Sequence, residues 1–299
     1  MTTDKHSIIG VIGAGTMGSG IAQVAATAGH SVKVYDSNTS VFEKAAENLS
    51  VTIDKLIAKQ KITREKGTSI LNNIEWINDQ QKFSECSLII EAVIENLDVK
   101  QKLFAGLEKI VDEHCVLATN TSSLSITSIA TACSKPGRVI GVHFFNPAPL
   151  MPLVEIIKGL ATDPKIETEL KSLVDSWGKT TVMAKDTPGF IVNRVARPFY
   201  GESIRIYEEG IADFATIDWA MKEIGGFKMG PFELMDLIGN DINYAVTETV
   251  WTQLFFDPNT NLHLLKKDCS KRNDLVKNQE EDIMSMVKAP FFLTRIKIQ

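Results

Sequence analysis

IIGVIGAGTMGSGIAQ, Ile8 to Gln23, decides the fold. A β-branched run leads into Gly13, Gly15 and Gly18, which fit GxGxxG, and then into a helical pattern. In such a strand–turn–helix unit the first glycine permits the turn, the second lets a pyrophosphate approach the backbone, and the third lets helix pack on strand. The amides at the helix start then face the phosphate charge. Asp36 ends the next strand, SVKVYD, at the distance expected of an acid that binds ribose hydroxyls. Such an acid repels a 2′-phosphate, which favours NAD over NADP. The other reading of Asp36 is a helix-capping aspartate in a fold that binds no nucleotide.

Outward from this unit, short β-branched runs alternate with helical patterns as far as about Lys185. The runs IIGVIG, SVKVYD, SLIIEAV, CVLATN, RVIGVHFF, LVEIIKG and TTVMAK read as strands. The alternation predicts an α/β fold, a Rossmann-type and mostly parallel sheet with helices on both faces. A polar insertion over about 37–84 carries amphipathic stretches at Val41–Lys59 and Arg64–Leu71, expected to form two helices over the cofactor side. At Asp186, Thr187, Pro188 and Gly189 the pattern changes, and FIVNRVARPFYGESIRIYEEG spaces its apolar residues as a helix does. The domains are therefore expected at 1–185, binding NAD, and at 186–299, all-helical, closing the substrate cleft. Apolar faces of the second domain, with Phe190, Phe199 and Ile204, point either to a homodimer or to a simple core.

The chain has 299 residues, 44% hydrophobic, enough for about two domains with real cores. No apolar run approaches the ~20 residues of a membrane span, and MTTDKHS enters a strand without a signal-peptide core. A soluble, cytoplasmic protein with no membrane partner is expected. The four cysteines, Cys86, Cys115, Cys133 and Cys269, lack metal-knuckle or CxxC spacing, so neither zinc nor disulfides are expected. A net charge of -5 offers no broad footprint for nucleic acid, although helix termini and single lysines still hold anionic cofactors.

GVHFFNPAPLMPLVEII, Gly141 to Ile157, carries the chemistry. His143 closes a strand, where open α/β sheets face their ligand crevice, and Glu155 lies on the adjoining strand beyond a bend shaped by Asn146 and Pro147. A histidine oriented by a carboxylate is a general base that works near neutral pH. A strand-end histidine is more often structural, but the polar cluster Asn120, Thr121, Ser122 and Ser123 follows another strand toward the same crevice. These side chains either bond a substrate hydroxyl or the nicotinamide amide, or cap the helical segment from Ile126. Of the other histidines, His6 and His30 read as polar element edges, and His114 and His263 have no evident partner. Asn193, early in the first helix of the second domain, either reaches the cleft or is solvated. Glu95 and Lys100, in VIENLDVK, read as a crevice-facing or simply charged loop.

Taken together, GAGTMGSGIAQ, VIEN with Lys100, NTSSLSIT, GVHFFNPAPLMPLVEII, KDTPGFIVNR and MGPFELMDLIG resemble the short-form 3-hydroxyacyl-CoA dehydrogenases, in character the bacterial 3-hydroxybutyryl-CoA dehydrogenases. The motifs run collinearly from Ile8 to about Pro258. The resemblance implies His143 as base, Glu155 as its orienting partner, and Ser122 and Asn193 as substrate contacts. It implies NAD contacts at Gly13, Gly15, Gly18, Asp36, Glu95, Lys100 and Ser122, and reversible oxidation of an (S)-3-hydroxyacyl-CoA to a 3-oxoacyl-CoA in fatty acid or butanoate metabolism. Lys55, Lys59 and Lys61 on the insertion either meet the CoA phosphates or form a solvated basic face. Pro152 stands where the family commonly has a basic residue.

After Asp257–Asn259 the family character is expected to stop. With suitable codons, Asn259–Lys267 read in a shifted frame gives YKPSFTQK, and the stretch about Leu275–Met286 in the same frame gives LGKKSGRGYYEY, which resembles the family's glycine-rich and aromatic ending. One reading is a base lost near Asn259, which resequencing decides; another is an ordinary divergent tail. A chain truly carrying this tail suggests a catalytically impaired NAD-binding protein. A dehydrogenase of free 3-hydroxy acids is the remaining alternative.

Overall fold

The computed structural model describes residues 7–255. The chain divides into two compact units, Met1–Ile191 and Val192–Gln299. The division falls after Ile191 rather than after Lys185. The intervening residues are tied to the first unit, where Phe190 joins its core and the Ile191 N–H donates to Glu155 Oε1 at 2.9 Å.

In the first unit, β1 (Ile9–Ile12), α1 (Thr16–Thr27), β2 (Val32–Tyr35), α2 (Thr39–Ala58), α3 (Arg64–Asn72), β3 (Ile74–Ile77), β4 (Leu88–Glu91), α4 (Leu97–Leu107), β5 (Val116–Thr119) and α5 (Ile126–Ala130) follow one another. They are succeeded by β6 (Val139–Phe144), β7 (Leu153–Lys158), α6 (Pro164–Ser176) and β8 (Thr180–Lys185). The eight strands form one sheet of order β3-β2-β1-β4-β5-β6-β7-β8. All pairs are parallel except β6 with β7. This is the mostly parallel Rossmann-type sheet expected, and both insertion helices are present as α2 and α3. β3 was not anticipated: IEWI buries only its two isoleucines fully and reads as part of a polar insertion.

Period-2 alternation sends each strand's side chains to two separate cores. Ile9, Val11, Val32, Val34, Leu88 and Ile90 pack with Ile21 and Ala25 of α1, Leu49 of α2 and Leu173 of α6. Ile12, Ile89, Leu117 and Ile157 pack on the other side with Phe104 of α4 and Ile126 of α5. Because α2 shares the core of α1, the insertion is a wall beside the glycine turn.

The second unit, as far as described, is all-helical: α7 (Val192–Glu208), α8 (Phe214–Glu223), α9 (Pro231–Ile238) and α10 (Asn240–Gln253). Tyr200, Ile204, Phe214, Ile217, Phe232 and Met235 form its core. The buried Asp218 carboxylate accepts from the Phe232 and Glu233 N–H groups, both at 2.9 Å, and so starts α9. Expectations for the segment after about residue 258, including the shifted frame, and for His6, His263 and Cys269, lie outside the described residues.

Candidate active site

β1, β2, β4, β5 and β6 run parallel and in register, Ile12 opposite Tyr35 and Glu91, Glu91 opposite Thr119, Thr119 opposite Gly141. Their carboxyl ends therefore open at one edge, and strand order reverses between β1 and β4, where open α/β sheets bind ligands. The glycine turn leaves β1 there, Asp36 follows β2, Glu95 follows β4, Ser122 follows β5 and His143 is the last residue but one of β6.

Gly13 has φ +96°, and a Cβ there would lie 2.5 Å from the Ala92 carbonyl oxygen. A Cβ on Gly18 would fall 1.7 Å from the Gly13 oxygen, whereas one on Gly15 would meet nothing within 4 Å. Gly15 is the N-cap of α1 with no side chain capping it. Open space over Gly15 and an uncapped helix start fit a pyrophosphate. Asp36 accepts from the Ala14 N–H at 2.7 Å through one oxygen and from the Asn38 N–H at 2.9 Å through the other. That fixes the carboxylate at the turn while each oxygen retains acceptor capacity for a ribose hydroxyl.

Glu95 gathers the cluster after β5. Its Oε1 accepts from Thr121 Oγ1 at 2.6 Å, from the Ser122 and Ser123 N–H groups at 2.9 and 3.1 Å, and from Ser122 Oγ at 3.3 Å. Burial alone would push this carboxyl up, but the Lys100 charge and the bonds from Thr121, Ser122 and Ser123 outweigh it and hold Glu95 below the usual glutamate range. Thr121 and Ser123 are buried and Ser122 is half-buried, so of the three residues that Glu95 holds Ser122 is the accessible one. Asn120, expected at the crevice, instead accepts from the Phe144 N–H at 2.9 Å and ties β5 to β6. Ser125 supplies the helix cap, accepting from the Ser128 N–H at 3.2 Å.

Lys100 differs from its expected place. It lies in α4, 1% exposed, and its ammonium sits 2.5 Å from Glu91 Oε1 and 3.4 Å from Glu95 Oε2. The reason is a buried acid that sequence reading passed over: Glu91 ends β4 with no exposure and also accepts from Thr119 Oγ1 at 2.6 Å. A charge in a fully buried strand demands a counter-charge, and a glutamate inside the apolar run SLIIEAV was the available signal. His30, read as a polar edge, is also buried, packed edge-on against Trp177 and bonded to the Ser7 carbonyl at 3.1 Å.

His143 and Glu155 are directly opposed on β6 and β7, and His143 Nδ1 lies 2.7 Å from Glu155 Oε2. Glu155 is fully buried and its other oxygen is held by the Ile191 N–H. A carboxylate accepts, so Nδ1 carries the proton and the Nε2 lone pair is left to act as base. Phe145 and Phe190 pack on the imidazole, with ring centroids 4.4 and 5.9 Å away. The Asn146–Pro147 peptide in the following bend is cis.

Beside the glycine turn lies a cavity of about 790 Å³, walled by Gly15 and Ser19, by Lys44, Asn48 and Thr52 of α2, and by Pro147, Pro149 and Leu150 of the bend. None of Lys55, Lys59 or Lys61 lines it; Lys44 is the cation that does. The Cys86 and Cys115 thiols are buried and pushed up to about 12, which leaves no reactive thiolate there. Asn193 is the second residue of α7, and its carbonyl accepts from Arg197 Nε at 2.9 Å.

Residues 8–187 match the NAD-binding domain of 3-hydroxyacyl-CoA dehydrogenase, and residues 189–285 match its C-terminal domain. The latter match runs past the point near residue 258 where family character was expected to end. A 3-hydroxyadipyl-CoA dehydrogenase of Escherichia coli is 46% identical over 81% of this chain, which spans 51% of that protein's length. A 3-hydroxybutyryl-CoA dehydrogenase of Clostridioides difficile is 38% identical over 89% of this chain and 95% of its own. The crystal structure of an (S)-3-hydroxybutyryl-CoA dehydrogenase from Ralstonia eutropha superposes with a TM-score of 0.85 at 36% identity, covering 89% of this chain and 94% of that one. With both domain models matched in order, this chain belongs to the 3-hydroxyacyl-CoA dehydrogenase family.

Proposed function

We propose that this chain interconverts (S)-3-hydroxyacyl-CoA and 3-oxoacyl-CoA, on short chains such as 3-hydroxybutyryl-CoA and acetoacetyl-CoA, with NAD. The observation that carries the reading is the His143–Glu155 pair at 2.7 Å, on the same sheet edge as a glycine turn with open space over Gly15. His143 Nε2 takes the proton of the C3 hydroxyl during oxidation and returns it during reduction. Glu155 holds the ring with Nδ1 protonated and stabilises the imidazolium that forms. Ser122, fixed by Glu95, supplies a hydroxyl to the substrate oxygen, and Asn193 of the second unit is proposed as a further contact. Gly13, Gly15, Gly18, Asp36 and Glu95 are the residues proposed to hold NAD, which would supply the hydride acceptor for C3. Lys100 is proposed to act on the cofactor side through Glu95.

The relatives are named for CoA thioesters, and the cavity continues beyond the Gly15 corner given to the cofactor, along Lys44, Asn48 and Thr52 of α2 to the bend. Both observations favour the thioester over the free acid. A homodimer belongs to the same proposal, supported by exposed Trp219, Ile224, Phe227 and Leu237 on the second unit. The test is one preparation, sized by gel filtration and assayed with acetoacetyl-CoA, then acetoacetate, against NADH and NADPH. A dimer that turns over acetoacetyl-CoA with NADH is expected. Turnover of acetoacetate alone, or binding of NADH without turnover, would overturn the reaction, and elution as a monomer would remove the dimer.

A further inference from the structure

The bend that joins β6 to β7 is held from inside by a charge that the mechanism does not use. Lys179 follows α6 and immediately precedes β8, and is only 9% exposed. Its ammonium donates to the carbonyl oxygens of Ala148 at 2.6 Å, Met151 at 2.8 Å and Pro149 at 3.5 Å. Among the described residues no carboxylate lies within ion-pair distance of it. Burying an ammonium without a counter-charge is costly, and a methionine of similar length would fill the space without that cost. The charge is spent on three backbone carbonyls of one short segment.

That segment has little slack. The Leu150 and Met151 N–H groups both donate to the Pro147 carbonyl at 3.0 Å, leaving the Ala148 and Met151 carbonyls to Lys179. Ala148 and Pro149 are pressed against α1, where a Cβ on Gly20 would lie 3.2 Å from each. The side chains this arrangement turns outward, Pro147, Pro149 and Leu150, wall the cavity beside the glycine turn. The catalytic pair does not depend on it, because the β6–β7 ladder sets His143 opposite Glu155.

We propose that Lys179 is a positioning residue for the acyl-CoA subsite, its ammonium fixing the Pro147–Met151 bend so that the cavity wall stands ready for the CoA portion of the substrate. The proposal rests on the reading of the α2 and bend side of this cavity as the CoA site, its Gly15 side being the place given to the NAD pyrophosphate. Burial also pushes the Lys179 ammonium below the usual lysine range, as expected of a cation whose partners are carbonyls rather than carboxylates.

Two substitutions and one exchange measurement test it. In Lys179→Met the KM for acetoacetyl-CoA rises by about tenfold while kcat and the KM for NADH stay within about twofold. Lys179→Gln, which keeps two N–H donors without the charge, falls between the two. Hydrogen exchange on the wild type, followed by mass spectrometry, finds the Leu150 and Met151 amides protected, and in Lys179→Gln they exchange at least about tenfold faster. An unchanged KM for acetoacetyl-CoA in a folded variant would overturn the proposal. So would equal rises in both KM values, the mark of general loosening, or unprotected amides in the wild type. Exchange on the wild type requires neither turnover nor a folded variant. Failure of the enzyme to use acetoacetyl-CoA therefore counts against the proposed reaction, and unprotected amides count against the pin.

Discussion

At the scale of single residues, three glycines of one turn have three different obligations. Gly18 is forced by a backbone oxygen that its Cβ would meet at 1.7 Å, whereas Gly15 faces open space. The two alanine substitutions are therefore expected to fail differently. Gly18→Ala must displace the turn, a strain of about 1–3 kcal/mol or more, and lowers the melting temperature by roughly 5–10 °C. Gly15→Ala leaves the melting temperature within about 1 °C but weakens NADH binding by about tenfold or more, because the methyl occupies the space of the phosphate. Calorimetry and NADH fluorescence titration read the two effects separately; equal melting losses in both variants would contradict the assignment of space over Gly15 to the cofactor.

At the scale of elements, the start of α4 and the loop after β5 are joined through one carboxylate. Glu95 holds Thr121, Ser122 and Ser123 and is itself held by Lys100, which Glu91 anchors at the end of β4. Its pKa is lowered on folding, so its stabilising contribution is present above the unfolded value of about 4.3 and is lost as pH falls through the folded value. Glu95→Gln is accordingly less stable than wild type at pH 7, and the gap between the two urea midpoints narrows as pH falls below about 4. A gap that stays constant down to pH 3 would contradict the direction of the shift. This connection was only half legible in the sequence. Glu95 and Lys100 stood out by charge, but that Lys100 turns inward depends on Glu91, whose burial follows from β4 lying between β1 and β5. β3 was missed for a related reason, since its residues join the sheet only because β2 offers an unpaired edge. Lys179 carried no local signal; Asp186 stood out only as part of the KDTPGFIVNR motif, and its place is explained by α5, whose Ile126 and Thr127 N–H groups donate to its carboxylate at 2.9 and 2.8 Å.

At the scale of the whole molecule, the order of elements was readable because hydrophobic period and glycine placement are local. The carboxyl ends of five parallel strands then had to gather their loops at one edge, which is why His143, Ser122, Asp36 and the glycine turn come from distant parts of the chain. Phe190 and Ile191 were assigned to the helical half because their helical spacing outweighed contacts that only the fold reveals, among them the Ile191 N–H on Glu155. The account as a whole stands on His143 as the base at that edge. Its most direct test is acetoacetyl-CoA reduction by His143→Ala, with NADH affinity measured on the same preparation. The account predicts kcat lower by roughly 100- to 10,000-fold with NADH affinity within about twofold of wild type; turnover equal to wild type would contradict it.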